Sequence, residues 1–92
     1  MHGVYIPSAF TPNSDGKNDV FRAMVFGKAV YFNLSVYNRF GEMIFATTNP
    51  SAGWNGLVKA QPQNSGVYIW TCSYKLEGGN AVTEKGTVLL LH

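Results

Sequence analysis

Apolar and polar residues alternate along several segments of the chain. In the segment of residues 30–37, one face carries Val30, Phe32, Leu34 and Val36. The other face carries Tyr31, Asn33, Ser35 and Tyr37. Successive side chains of a β-strand point to opposite faces, so this pattern predicts a half-buried strand. Residues 67–76 form the most apolar strand of this kind, with one face made of Tyr68, Trp70, Cys72, Tyr74 and Leu76.

Turn signals separate these segments. Residues 38–41 predict a hairpin turn, and the Glu-Gly-Gly-Asn stretch of residues 77–80 predicts a second one. Trp54 precedes an Asn-Gly turn signal, and we expect its side chain to close one end of the core. The last apolar stretch, residues 88–91, should lie in the middle of a sheet. No window shows the spacing of apolar residues that indicates a helix.

Together these segments predict an all-β fold. About seven strands at this rhythm, with turns between them, are typical of an Ig-like antiparallel β-sandwich. The chain has 92 residues, of which 46% are hydrophobic, and this suits one domain with a modest core, spanning residues 1–92. Charged residues make up only 13%, which fits a domain that rests against a partner and equally an ordinary small β domain.

The charge distribution argues against nucleic-acid binding, and the length of the apolar stretches argues against a membrane-spanning helix. The net charge is +2, and the basic residues are scattered rather than clustered in a stripe, so we expect no nucleic-acid binding. The apolar stretches are much shorter than the roughly 20 residues that a membrane-spanning helix needs. If the parent protein is exported, we expect its signal to lie upstream of this segment.

The residues that could carry catalysis do not form a set. The two histidines, His2 and His92, lie at the ends of the sequence, and the five acidic residues include a single close pair, Asp15 and Asp19. General acid–base catalysis needs positioned groups with displaced pKa values. Cys72 lies in an apolar alternating run and is interpreted as a small buried hydrophobic residue. We therefore expect a protein that is not an enzyme.

Oxygen-bearing side chains recur through the first loop, around Gly16. They are Thr11, Asn13, Asp15 and Asp19, and the pattern resembles part of an EF-hand calcium loop. Arg22 stands where such a loop has its bidentate glutamate. We favour a loop closed by hydrogen bonds between Asn or Asp side chains and the backbone. Weak calcium binding by these four residues is the alternative, and we expect no other cofactor.

Five motifs in order resemble a known family, the gliding-motility-associated C-terminal domains. They are IPSAFTPNSDGKNDVF (residues 6–21), VYNRFGE (36–42), WNG (54–56), SGVY (65–68) and KGTV (85–88). Ser14, Phe40 and Asn55 replace the family's usual Gly, Trp and Asp, and the chain ends Leu-Leu-Leu-His rather than on a basic residue. The motifs cover nearly the whole chain.

The resemblance implies a type B sorting domain of the type IX secretion system, found in gliding bacteria of the Bacteroidetes. Such a domain is non-enzymatic and lies at the C-terminus of a larger protein. It directs the N-terminal passenger through the periplasm and across the outer membrane, to be secreted or displayed on the cell surface. The implied partner is the type IX machinery, for which an SprF-like outer-membrane protein is a candidate.

Residues that core packing does not explain are the candidates for docking to that partner. They are Asn13, Asp15, Asn18 and Asp19 in the first loop, Arg39 in the hairpin turn, and Gly86 and Thr87 in the last strand. The alternative function is an Ig-like module that binds carbohydrate or the cell surface on behalf of a secreted enzyme or adhesin. A planar array of exposed Tyr or Trp would favour that alternative, and Tyr31 with Tyr37 is the candidate pair.

Overall fold

The computed structural model describes residues 3–11, 20–59 and 61–91. These residues form nine β-strands and no helix: β1 (Gly3–Tyr5), β2 (Ala9–Phe10), β3 (Met24–Phe26), β4 (Ala29–Tyr37), β5 (Met43–Thr47), β6 (Leu57–Val58), β7 (Gln61–Pro62), β8 (Gly66–Leu76) and β9 (Ala81–Leu90). No helix in the described ranges is long and apolar enough to cross a membrane. The prediction of an all-β fold is confirmed.

The strands form one large sheet and two small ones. The large sheet has five strands in the order β2-β9-β8-β4-β5. β8 lies at its centre, antiparallel to β4 on one side and to β9 on the other. β1 pairs with β3, and β6 pairs with β7, each antiparallel. β2 pairs with the end of β9 in parallel, a departure from the wholly antiparallel arrangement that was predicted.

One face of the five-stranded sheet carries the core. β8 contributes Tyr68, Trp70, Cys72 and Tyr74, β4 contributes Phe32, Leu34 and Val36, and β9 contributes Val88 and Leu90, all of them buried. Val4 of β1 and Val25 of β3 pack against this cluster, so the small sheet covers the face and the arrangement is sandwich-like. The predicted faces of β4 and β8, including the buried Cys72, are confirmed for these side chains.

Trp54 closes the core. Its backbone N–H donates to the carbonyl of Phe21 and its carbonyl accepts from the Phe21 N–H, both at 2.8 Å. Its ring lies 5.5 Å from that of Phe10 and 5.0 Å from that of Tyr68, centroid to centroid. The indole N–H donates to the carbonyl of Leu57 at 3.0 Å, so the buried polar atom is satisfied. The role predicted for Trp54 is confirmed.

The strand count differs from the prediction because the first segment divides and residues 57–62 add two short strands that were not predicted. Pro7 lies between β1 and β2, and proline has no N–H to donate, so the first segment contributes one short strand to each of two sheets. Residues 57–62 form the small β6–β7 hairpin. Val30 is 62% exposed rather than on the core face, since the register of β4 against β8 shifts between Ala29 and Tyr31.

Replacement of Gly86 by alanine tests the closest packing in the sheet. A Cβ at Gly86 would lie 2.8 Å from Cζ2 of Trp70, whose indole lies across this position. We expect Gly86→Ala to lower the free energy of unfolding by about 1–3 kcal/mol, measured by urea denaturation. The control is Gly79→Ala, where the nearest atom is 3.5 Å away and a small effect is expected. Equal losses in both variants would contradict this account.

The buried thiol makes stability depend on alkaline pH. Burial, and then the negative charge of Glu84, raises the pKa of Cys72 from 9.0 to about 11. The unfolded chain loses this proton first, so the free energy of unfolding should fall as the pH rises from about 9 to about 11. The pKa values of Tyr68 and Tyr74 are also raised by burial and act in the same direction. Urea midpoints across this range should fall more steeply for the wild type than for Cys72→Ala; equal slopes would contradict the assignment.

Candidate functional site

The turn between β4 and β5 is built by one asparagine side chain. Oδ1 of Asn38 accepts hydrogen bonds from the backbone N–H of Phe40 at 2.9 Å and of Glu42 at 3.0 Å. Its Nδ2 donates to Oε1 of Glu42 at 3.0 Å. Gly41 has φ +83°, a left-handed conformation that suits glycine. Asn38, Gly41 and Glu42 therefore hold the predicted hairpin turn in one shape.

The two residues at the tip of this turn project into solvent. Phe40 is 73% exposed, and Arg39 is exposed beside it. The Arg39 guanidinium carbon lies 4.9 Å from the centroid of the Phe40 ring, a weak cation–π contact at an exposed site. No carboxylate in the described ranges forms an ion pair with Arg39. The tip therefore presents a positive charge and an aromatic ring that the turn itself does not need.

A cleft of about 200 Å³ lies beside the tip, between residues 38–40 and residues 63–68. Tyr68 forms part of its wall, and its hydroxyl donates to the carbonyl of Asn64 at 2.7 Å. Burial raises the pKa of Tyr68, and the positive charge of Arg39 offsets part of that rise. The cleft joins an arginine, an aromatic ring and amide groups, which can bind a carboxylate-bearing protein segment.

The candidates on β9 fall on opposite faces. Gly86 lies on the core side against the Trp70 ring, where its missing side chain makes room for the indole. Thr87 is exposed on the other face, directly opposite Ile69 of β8, and its carbonyl accepts from Nε1 of Trp70 at 3.2 Å. Ile69 in turn pairs with Tyr37, two residues before Arg39. Thr87 thus lies at the same end of the sheet as the hairpin tip, and Gly86 does not share its surface.

The first-loop candidates Asn13, Asp15, Asn18 and Asp19 lie outside the described residues. Thr11, the first of the proposed calcium ligands, is half-buried just after β2. No cluster of three or more His, Cys, Asp or Glu side chains occurs in the described ranges. The calcium site and the docking role of this loop therefore stay predictions.

The predicted pair, Tyr31 and Tyr37, does not form a flat binding platform. Both tryptophans, Trp54 and Trp70, are buried. Tyr31 and Tyr37 share the solvent-facing side of β4, as predicted, but they are six positions apart. At about 3.3 Å per residue this separates them by about 20 Å, too far to stack on one sugar ring.

Sequence reasoning missed the importance of Phe40 and Asn38. The sequence places Phe40 in the predicted turn, and an aromatic residue in a polar turn could have indicated an exposed contact residue. The spacing of Asn38 and Glu42 around a glycine could have indicated the side-chain bonds that hold the turn.

These features define a small β-sandwich domain that presents an ordered hairpin tip and has no assembled catalytic set in its described residues. Residues 4–90 match the family model described as CHU_C Type IX secretion signal domain. The chain belongs to this family of type IX secretion signal domains. A comparison with curated protein sequences found no match. The family membership confirms the resemblance drawn from the motifs and indicates a sorting role, with export from the cell.

Replacing Asn38 and Arg39 in turn distinguishes the residue that stabilises the turn from the residue that the turn exposes to solvent. Asn38→Ala removes three hydrogen bonds and should lower the free energy of unfolding by about 1–2 kcal/mol, measured by urea denaturation. Arg39→Ala, in the same turn, should change it by less than about 0.5 kcal/mol, since the Arg39 side chain is exposed and contacts an exposed ring. A larger loss from Arg39→Ala than from Asn38→Ala would contradict this division.

Proposed function

We propose that this domain is the sorting signal of a larger protein and targets its N-terminal passenger for translocation across the outer membrane by the type IX machinery. The single observation that carries the proposal is the family match over residues 4–90. The passenger first reaches the periplasm, and the folded domain is then recognised there as a module. An SprF-like outer-membrane protein is the proposed receptor.

The geometry of the hairpin supports recognition at this turn. A receptor gains most from side chains that are ordered before binding, because less conformational entropy is then lost. Arg39 and Phe40 contact each other and lie on a turn that side-chain hydrogen bonds hold in one shape, yet both are exposed. Arginine and aromatic residues are also the types enriched at the centres of protein interfaces.

We propose that the domain itself does no catalysis. In support, the thiol of Cys72 is fully buried and its pKa is raised to about 11, which makes it a poor nucleophile at neutral pH. The other residues proposed for docking are Thr87 near the tip, Gly86 behind it, and the first-loop residues Asn13, Asp15, Asn18 and Asp19. For Gly86, packing against Trp70 offers a structural explanation that does not need a partner.

The proposed function is tested by fusing residues 1–92 to the C-terminus of a fluorescent reporter that carries a signal for export to the periplasm. The fusion is expressed in a host with the type IX system and in a matched strain without it. We expect reporter fluorescence in the medium or on the cell surface of the first strain only. A folded fusion retained in the periplasm of both strains would overturn the proposal and favour the alternative of a carbohydrate-binding module.

The docking role of the hairpin tip gives a sharper prediction. Arg39→Ala in the exported fusion should lower export several-fold while leaving the unfolding midpoint unchanged, since a charged interface contact is lost but no core contact. The matched control is Lys28→Ala, which removes an exposed positive charge that forms a weak ion pair with Glu77 at 3.7 Å. Equal export of both variants and the wild type would show that Arg39 takes no part.

A further inference from the structure

The solvent-facing side of the five-stranded sheet carries a group of apolar side chains at one end. At the end near the hairpin tip, the register brings together Met43, Tyr37, Ile69, Val67 and Leu89, which we call the outer apolar patch. The opposite half carries hydroxyl, amide and lysine side chains, among them Thr71, Ser73, Asn33, Lys75 and Lys85. Tyr31 is also exposed on this face, opposite Lys75, so the apolar side chains are concentrated at the hairpin end but not confined to it.

The patch is accessible and spans four adjacent strands. The exposed fractions are 57% for Met43, 43% for Ile69, 57% for Val67 and 37% for Leu89. Val67 also lines the cleft beside Phe40, so the patch is continuous with the hairpin tip. Sheets with one solvated face ordinarily place polar residues there, and contiguous exposed apolar patches mark interaction sites. Core packing does not explain this half of the face.

The charged side chains on the described part of this face are positive. Arg39 lies at the hairpin end, and Lys85 and Lys75 lie on the same face beyond the patch. Among residues 3–11, 20–59 and 61–91, no carboxylate occupies this face of the sheet. Glu84 is opposite Cys72 and so lies on the core side. Glu42, in the turn, accepts a hydrogen bond from Asn38. A partner that covers the described part of this face and the hairpin tip would meet three positive charges and, in the turn, the exposed carboxylate of Glu42.

We propose that the outer apolar patch is a second docking surface, which binds a protein surface of the secretion machinery that has an apolar centre and carboxylates along its border. This inference rests on the proposed sorting function and extends it from the hairpin tip to the neighbouring sheet face. The chemistry of the partner follows from complementarity: apolar side chains exclude water at the centre, and carboxylates meet Arg39 and Lys85 at the edge.

An anionic lipid surface shares part of this chemistry, but the described face suits it less. Lipid-binding segments use clusters of about 4–8 lysine or arginine residues, and this face has three, spread along its length. The patch is also a flat pleated surface made mainly of short branched side chains, which packs well against another protein surface.

The proposal is tested by placing a negative or a positive charge in the middle of this surface and comparing the export of the two variants. Thr87 is exposed, opposite Ile69 and between Leu89 and Lys85 on β9, and only its backbone carbonyl bonds to Trp70. In the reporter fusion, Thr87→Glu should lower type IX-dependent export about tenfold, because like charges face each other across an interface. Thr87→Lys, of similar size, should keep export within about twofold of the wild type. A purely structural role for Thr87 would affect both variants alike.

The controls are Ala81→Glu and Ala81→Lys, at the far end of the same face of β9, and both should be exported like the wild type. All variants are first compared by thermal unfolding, so that a folding defect is recognised. If the wild-type fusion is not exported, the proposed sorting function fails. If the wild type is exported and Thr87→Glu is too, this inference alone is overturned.

Two other occupants of the patch would give different results. Sedimentation of the purified domain tests a second copy of the chain: a dimer that Thr87→Glu converts to a monomer would overturn the proposal. Flotation with phosphatidylglycerol vesicles tests a lipid surface. Vesicle binding that Thr87→Glu abolishes would overturn it as well, whereas a monomer that does not float, combined with the export result above, supports a protein partner.

Discussion

The burial of one face of β8 is the constraint on which the rest of this structure depends. β8 is the central strand, and its four alternate side chains from Tyr68 to Tyr74 all lie in the core. A shift of one residue in its pairing with β4 or β9 would turn these aromatic rings to solvent and bury the side chains of the other face of β8. The cost of that exchange holds the register of the whole five-stranded sheet.

The same register determines what the other side of the sheet presents. Once Tyr68 and Trp70 face inward, Val67 and Ile69 must face outward, next to Leu89 of β9 and Tyr37 of β4. The chain could carry polar residues at these outward positions without any loss to the core. That it carries apolar ones is the reason to regard this end of the sheet as a surface for a partner rather than a by-product of folding.

The resemblance found in the motifs led to the correct family, and alternation predicted the faces of β4 and β8 and the role of Trp54. Other features depended on pairings between distant residues. Val30 follows the alternating pattern but is exposed, because the bulge against β8 shifts it out of register. Gly86 is predicted to be a docking residue, yet it lies under the indole of Trp70. This contact joins two strands and cannot be predicted from a local pattern. The contact between Arg39 and Phe40 likewise depends on the folded turn, which turns the two side chains toward each other.

The sequence by itself determined the elements of this protein: where strands alternate, where turns must fall, which residues are too apolar to stay in water, and which family the motifs match. These are local properties, set by side-chain chemistry and by backbone preferences over a few residues. Only the tertiary structure decided which strands are neighbours. That choice places Arg39 and Phe40 beside the outer apolar patch and Gly86 against Trp70, because the surface of a sheet is assembled from residues that the chain itself keeps far apart.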